Sequence, residues 1–325
     1  MTIPTLTDVY AARKHIAGII RPTPLLRHAL LVAETGLDLW VKHENHNPTG
    51  TFKARGGLNF VKSLGADERA RGVVTASTGN HGQSIAMASQ VAGGRCTVFV
   101  PQGNNPEKNA AIRAFGALVH EEGRDFDEAR ELCEREARST GARYVHVANE
   151  SPIVAGVATY VLEIFEELPA VDVIIVPIGG GSGASGNCIV RSGLGAATRV
   201  IGVQAAAADA FARSWRTGRR VINESATTFA EGVATRQTFD FTFGILEREL
   251  DDLVTLSEDE LAEGVRLALR ATHNLAEGAG GAALAAAAKL KNTLTGKTVV
   301  AVMTGGNLDA AKLHWIMEKR VAVGR

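Results

Sequence analysis

A lysine framed by turn-forming residues is the first chemical feature of the chain. It stands in ENHNPTGTFKARGG, residues 44–57, where Lys53 follows NPTGT, sits beside Phe52 and precedes a glycine pair. A solvated surface lysine needs no such framing. A lysine at the first turn of a helix, among small polar residues, suits Schiff-base chemistry with a carbonyl. Three further segments have the composition of ligand loops. VIIVPIGGGSGASG (173–186) carries five glycines in its last eight residues, after an apolar run. Glycines between a strand and a helix let backbone N–H groups converge on an anion at the helix N-terminus. Gly181, Gly183 and Gly186 also satisfy the dinucleotide pattern G-x-G-x-x-G. That pattern needs an acidic residue at the end of the next strand, RVIGVQ, and Gln204 stands there. A phosphate is the better guest. STGNHG (77–82) offers hydroxyl, amide and backbone donors to a carboxylate or phenolic oxygen, although Ser or Thr there also serves as an ordinary helix cap. His81, taken alone, reads as structural. MTGGN (303–307) ends an apolar run with the hydroxyl of Thr304 and two glycines, which alone would be a plain turn.

The elements that must position these segments are short apolar runs alternating with helical patterns from about Val73 onward. VVTAS (73–77), CTVFVP (96–101), ALVHEE (117–122), YVHVA (144–148), VDVIIVPIGG (171–180), RVIGVQA (199–205) and KTVVAVMTGGN (297–307) are the strand candidates. Nearly continuous apolar runs between amphipathic helices indicate parallel strands buried on both faces by βαβ crossovers, an α/β fold. Ligands of such sheets bind beyond the carboxyl ends of the strands, where three of the four segments fall.

The bulk composition narrows the function classes. With 325 residues, 45% of them hydrophobic, the chain can bury a substantial core and form two domains or lobes. Its 35 basic and 35 acidic residues cancel, so no nucleic-acid or membrane surface is expected. Cys96, Cys133 and Cys188 are odd in number and widely spaced, which fits a reduced compartment and neither a disulfide framework nor a CxxC metal site. No apolar run reaches the roughly 18 residues of a membrane span and no leader pattern opens the chain, so a cytoplasmic protein is expected.

A phosphate loop, an amide-rich loop, a strand-end hydroxyl and a framed lysine together meet the needs of pyridoxal 5'-phosphate: phosphate, aldehyde, ring oxygen and ring nitrogen. In order and spacing, RPTPLL (21–26), FKARGG, STGNHGQS, PEKNAAIRAFGA, GGGSG, FAEGVA, HNLAEGAGGAAL and MTGGN resemble the fold-type II pyridoxal-phosphate enzymes, in particular the threonine/serine dehydratase and serine racemase group. The resemblance implies a tryptophan-synthase-β-like fold, two open twisted, mainly parallel sheets flanked by helices with the active site between the domains. It implies a large cofactor-binding domain over 1–50 and 143–325, a small α/β domain over 51–142, and a homodimer. It makes Lys53 the Schiff-base lysine, packs Phe52 by the cofactor ring and puts Asn80 on the ring hydroxyl. Gly179, Gly180, Gly181, Ser182 and Gly183 would hold the phosphate, and Thr304 would face the pyridine nitrogen. Ser77, Thr78, Gly79 and His81 would receive the substrate carboxylate, with Asn149 and Gly232 at further cofactor- or substrate-side positions.

The implied reaction is elimination of water from a β-hydroxy-L-amino acid of threonine or serine type, giving a 2-oxo acid and ammonia. Dehydration of 3-hydroxyaspartate, phenylserine or another hydroxy amino acid is the alternative, as is racemisation, for which Thr78 stands where a second acid would act. Arg236 or His46 could address a distal substrate group, though a solvated role is the plainer reading of each. A dinucleotide oxidoreductase is disfavoured by Gln204, and a non-catalytic amino-acid-binding protein by the intact Lys53. Where relatives carry a divalent-cation site built on acidic side chains, this chain reads QAAAADAF (204–211). Gln204 and Ala210 replace carboxylates and only Asp209 is left, so no metal is expected there. With about 20 residues after MTGGN, no regulatory domain and no feedback control by a branched-chain amino acid are expected.

Overall fold

The computed structural model describes residues 1–318. The strands are β1 (Leu25–Arg27), β2 (Asp38–His43), β3 (Val73–Ala76), β4 (Cys96–Val100), β5 (Leu118–Glu121), β6 (Arg143–Tyr144), β7 (Val173–Pro177), β8 (Arg199–Ala205), β9 (Asp252–Leu256) and β10 (Thr298–Met303). They form a six-stranded sheet, β1-β2-β10-β7-β8-β9, and a four-stranded sheet, β5-β4-β3-β6. Every neighbouring pair is parallel except β1 with β2. The parallel architecture expected from the apolar runs is present. The chain divides into two compact units, Met1–Arg21 with Asn47–Thr159, and Pro22–His46 with Tyr160 onward.

The first unit contains the four-stranded sheet. Its helix Lys53–Ser63 crosses the helix Asn80–Val91 at very close range, because a Cβ at Gly57 would lie 2.2 Å from Ser84 Oγ and 2.7 Å from the Ser84 carbonyl. Only glycine allows that approach. Of YVHVA only Tyr144 is in register with the sheet, together with Arg143 just before the run. His146 ends the strand. Its Nδ1 accepts the N–H groups of Ala148 (3.0 Å) and Asn149 (2.9 Å) and turns the backbone away from the ladder.

The second unit contains the six-stranded sheet, whose centre is β10 and β7. Residues 299–303 and 173–177 are buried throughout, as double-sided packing requires. Strands β1, β2 and β9 have no counterpart among the apolar runs read from Val73 onward. In β2 the signal is masked by polar residues that are nonetheless buried, Lys42 and His43. Lys42 Nζ lies 2.6 Å from Glu163 Oε2 and donates to the Thr23 carbonyl at 2.7 Å. A buried charge is tolerable only with such full pairing. Strand β1 is three residues long, and β9 is an edge strand of mixed exposure.

Candidate active site

In the first unit, Lys53 opens its helix immediately after Phe52. Its backbone is fixed from the neighbouring helix, where Ser84 Oγ donates to the Lys53 carbonyl at 2.5 Å. Its ammonium lies 5.8 Å from the centre of the Phe52 ring. Three residues before Ser84, and so on the same helix face, stands His81. Burial, with the nearby Lys53 charge second, pulls the His81 imidazole down to about 3 and keeps it neutral. His81 Nε2 is buried without a hydrogen-bond partner among the described residues. Such an atom is costly to leave unmatched, and it marks a place for a hydrogen-bond partner that the described residues do not supply.

The loop before that helix is built by its own polar groups. Ser77 Oγ accepts from the N–H of Gly79 (3.2 Å) and of Gly82 (2.9 Å), the capping use, while Thr78 is half-buried. Asn104 Nδ2 holds the Thr78 carbonyl from outside at 3.3 Å. Asn80 is the first residue of the helix. Asn149 is brought to this unit by the His146 turn, and the His146 charge is among those that depress His81. Lys53, Phe52, Ser77, Thr78, Gly79, Asn80, His81 and Asn149 thus belong to one unit.

Gly179, Gly180, Gly181, Ser182, Gly183, Gly232 and Thr304 belong to the other. Gly181 is the N-cap of the helix Ser182–Gly193 and is left-handed, with φ +88°. Glycine has no side chain to cap with, so the first N–H groups of a buried helix start are left to an outside acceptor. That is a seat for an anion. The Gly232 carbonyl packs so closely on the loop that a Cβ at Gly179 would lie 2.0 Å from it. Thr304 follows β10 directly and is buried. The register pairs Ala301 with Ile175, so Thr304 and the entry to the glycine loop leave adjacent strands at the same sheet edge.

The family model described as pyridoxal-phosphate dependent enzyme matches residues 16–305. The chain belongs to that family. An L-threonine ammonia-lyase of Thermotoga maritima is 37% identical over 97% of this chain and 78% of its own length. A beta-hydroxyaspartate dehydratase of Paracoccus denitrificans is 31% identical over 97% of this chain and all of its own length. The structure of the processed form of threonine deaminase isoform 2 from Solanum lycopersicum superposes with a TM-score of 0.90 at 27% identity, covering 98% of this chain and 94% of that one. The fold is that of the fold-type II pyridoxal-phosphate enzymes, and the cofactor is pyridoxal 5'-phosphate.

The residues present fit this cofactor. A helix start capped only by glycine suits its phosphate, and a lysine held by its own carbonyl beside an aromatic ring suits its aldehyde. Gln204 is used differently from a cation ligand. Its Oε1 accepts from the Ala212 N–H at 2.8 Å and its Nε2 donates to the Ile178 carbonyl at 3.4 Å, while Asn223 Nδ2 donates to Asp209 Oδ1 at 3.1 Å. Reading the sequence missed three residues that hold these loops: Ser84, Asn104 and Thr242, whose Oγ1 donates to the Gly180 carbonyl at 2.7 Å. Ser84 closes the STGNHGQS run without a role of its own being legible there, and Asn104 and Thr242 lie in no motif with a chemical signature. Of the two distal candidates, His46 bonds Asn274 Oδ1 at 2.6 Å and Arg236 Nε bonds the Asn223 carbonyl at 3.2 Å.

Proposed function

We propose that the chain is a pyridoxal-phosphate-dependent ammonia-lyase that removes water from a β-hydroxy-L-amino acid of the threonine or serine type, yielding a 2-oxo acid and ammonia. The observation that carries the reading is the hydroxyl of Thr304, and not a carboxylate, at the buried end of β10. A hydroxyl against the cofactor's ring nitrogen does not hold a full positive charge there, as a carboxylate would. Reactions that need a long-lived negative charge at the substrate Cα are then disfavoured, and prompt departure of a β-substituent is favoured. The names of the relatives, an L-threonine ammonia-lyase and a beta-hydroxyaspartate dehydratase, support the same class.

When bound, the cofactor supplies an aldehyde that takes up the substrate amine and a conjugated ring that accepts electron density from Cα. Lys53 carries it between turnovers and, once displaced, takes the Cα proton on Nζ. The Cβ–O bond then breaks, the leaving hydroxyl takes up the proton that Lys53 Nζ gained and departs as water, and the released enamine tautomerises to an imine that a water molecule hydrolyses to the 2-oxo acid and ammonia. Phe52 packs by the ring and Asn80 bonds its hydroxyl oxygen. Gly179, Gly180, Gly181, Ser182 and Gly183 hold the phosphate, with Gly232 behind them. Ser77, Thr78, Gly79, His81 and Asn149 receive the substrate, its carboxylate on the loop amides. In this reading the protein acts as a homodimer in the cytoplasm; no described helix is long and apolar enough to cross a membrane.

The test is 2-oxo acid release by purified protein from L-threonine, L-serine, 3-hydroxyaspartate and phenylserine. Turnover of L-threonine or L-serine, with a visible absorption band abolished by borohydride, is the expected result. A protein with that band that turns over neither, but another of the four, overturns the substrate assignment. Absence of both band and turnover overturns the reading altogether.

A further inference from the structure

Two carbonyl oxygens of the glycine loop are bonded to side chains from outside it. Thr242 Oγ1 donates to the Gly180 carbonyl at 2.7 Å, and Gln204 Nε2 donates to the Ile178 carbonyl at 3.4 Å. The first is a short, strong bond and the second is at the limit of one. In a trans peptide the C=O and the next residue's N–H point in opposite directions. Holding the Gly180 carbonyl on Thr242 therefore turns the Gly181 N–H to the other side. The Thr242 side of the loop is filled by protein, since a Cβ at Gly181 would lie 2.8 Å from Thr242 Oγ1 and 3.3 Å from Leu246 Cδ1. The side to which the Gly181 N–H turns is the one left for an anion.

We propose that Thr242 is a positioning residue for the cofactor's phosphate: its hydroxyl pins the Gly180 carbonyl so that the Gly181 amide donates to the phosphate, with Gln204 acting likewise, more weakly, on the Gly179 amide. The assignment rests on the reading that this loop binds the phosphate. Thr242 is buried and lies in the helix Asp240–Glu249, within the segment FDFTFGIL that no motif explains. Because Thr242 is 1% exposed, bulk water does not replace its hydroxyl. Without it the Gly180 carbonyl loses its donor, the peptide is free to rotate, and the Gly181 N–H is no longer held toward the anion.

The test compares holoenzyme of the wild type, Thr242→Val and Thr242→Ser for retention of pyridoxal 5'-phosphate on dialysis. The same proteins, stripped of cofactor, are then titrated with pyridoxal 5'-phosphate and with pyridoxal, which keeps the aldehyde and ring but lacks the phosphate. Thr242→Val is nearly isosteric and should weaken binding of the phosphorylated form about tenfold, the scale of one hydrogen bond to a charged group. Pyridoxal affinity should change less than about twofold, and Thr242→Ser, which keeps the donor, should restore most of the loss. Equal weakening for both ligands, or none for either, overturns the proposal. Should Thr242→Val not fold, Thr242→Cys, with its weak donor, must show the same preferential loss for the phosphorylated ligand. A wild type that retains no pyridoxal 5'-phosphate would instead overturn the cofactor reading, and this inference with it.

Discussion

In the unit with the four-stranded sheet, the candidate residues are side chains at helix starts, Lys53 and Asn80, and their carriers are two helices crossing at Gly57 and Ser84. In the unit with the six-stranded sheet, they are mostly backbone amides following β7, with one hydroxyl following β10. Both are held by a hydroxyl donating to a backbone carbonyl, Ser84 to Lys53 in the first and Thr242 to Gly180 in the second, and the second is also set by strand register. The difference is chemical. A group that must move and exchange a proton is best placed at the tip of a side chain whose root is fixed. A group that must only hold a constant charge is best made of backbone, which has no rotamers to lose.

The contrast is broken most directly at Lys53. Lys53→Ala should lower 2-oxo acid formation by about 10³-fold or more, while the fold stays intact by circular dichroism. Near-native turnover with an unchanged visible spectrum would remove the chemical role from the first unit. The complementary change is Gly179→Ala, whose Cβ would sit 2.0 Å from the Gly232 carbonyl. The loop must shift, so cofactor retention should fall on the order of tenfold, by the usual cost of overpacking. Cofactor content after dialysis reads this, and an unaltered value would separate the loop from the phosphate.

A smaller effect tests the helix crossing of the first unit. Gly57→Ala places a methyl group against Ser84 and should destabilise the protein by about 1–3 kcal/mol, seen as a lower urea midpoint at unchanged slope. The two units should also share an acid sensitivity. His43 is pulled down to about 4 by burial and by the charges of His28 and His46, and His81 to about 3 by burial and Lys53. Each is neutral when folded but protonates near 6.5 when unfolded, so the unfolded chain binds more protons below that pH. The stability they contribute is complete above about 6.5 and is lost as pH falls toward 4 for His43 and 3 for His81. Unfolding midpoints taken from pH 7 to pH 4 should decline, and His43→Asn should flatten part of that slope. An unaltered slope in the variant would show that His43 is not the sensor. The smallest effect is at Gln204 and Asp209, whose side chains are engaged by Ala212, Ile178 and Asn223. Chelator treatment should leave activity within about twofold of the untreated enzyme, because a hard cation wants several charged oxygens. A large loss restored by magnesium or calcium would place a cation there.

What the sequence by itself determined is what depends on neighbours along the chain. A glycine run after a buried strand, a lysine after a turn and a hydroxyl at a strand end are local patterns, and their joint spacing was enough for family, cofactor and parallel α/β class. Strand β2 was not legible, because Lys42 and His43 read as surface residues until Glu163, 121 residues from Lys42, supplies the buried charge. YVHVA reads as a longer strand than it is, because a histidine carries no turn signature, although the His146 Nδ1 accepts from the amides two and three residues further on and ends the strand locally. Thr242 lies 62 residues from the carbonyl it holds, in a segment with no signature. A threonine on a helix is among the commonest of residues, and its partner is chosen by packing. Local sequence dictates backbone type and chemical inventory; which carbonyl a distant hydroxyl reaches, and so which way an amide points, is decided when separated segments pack together.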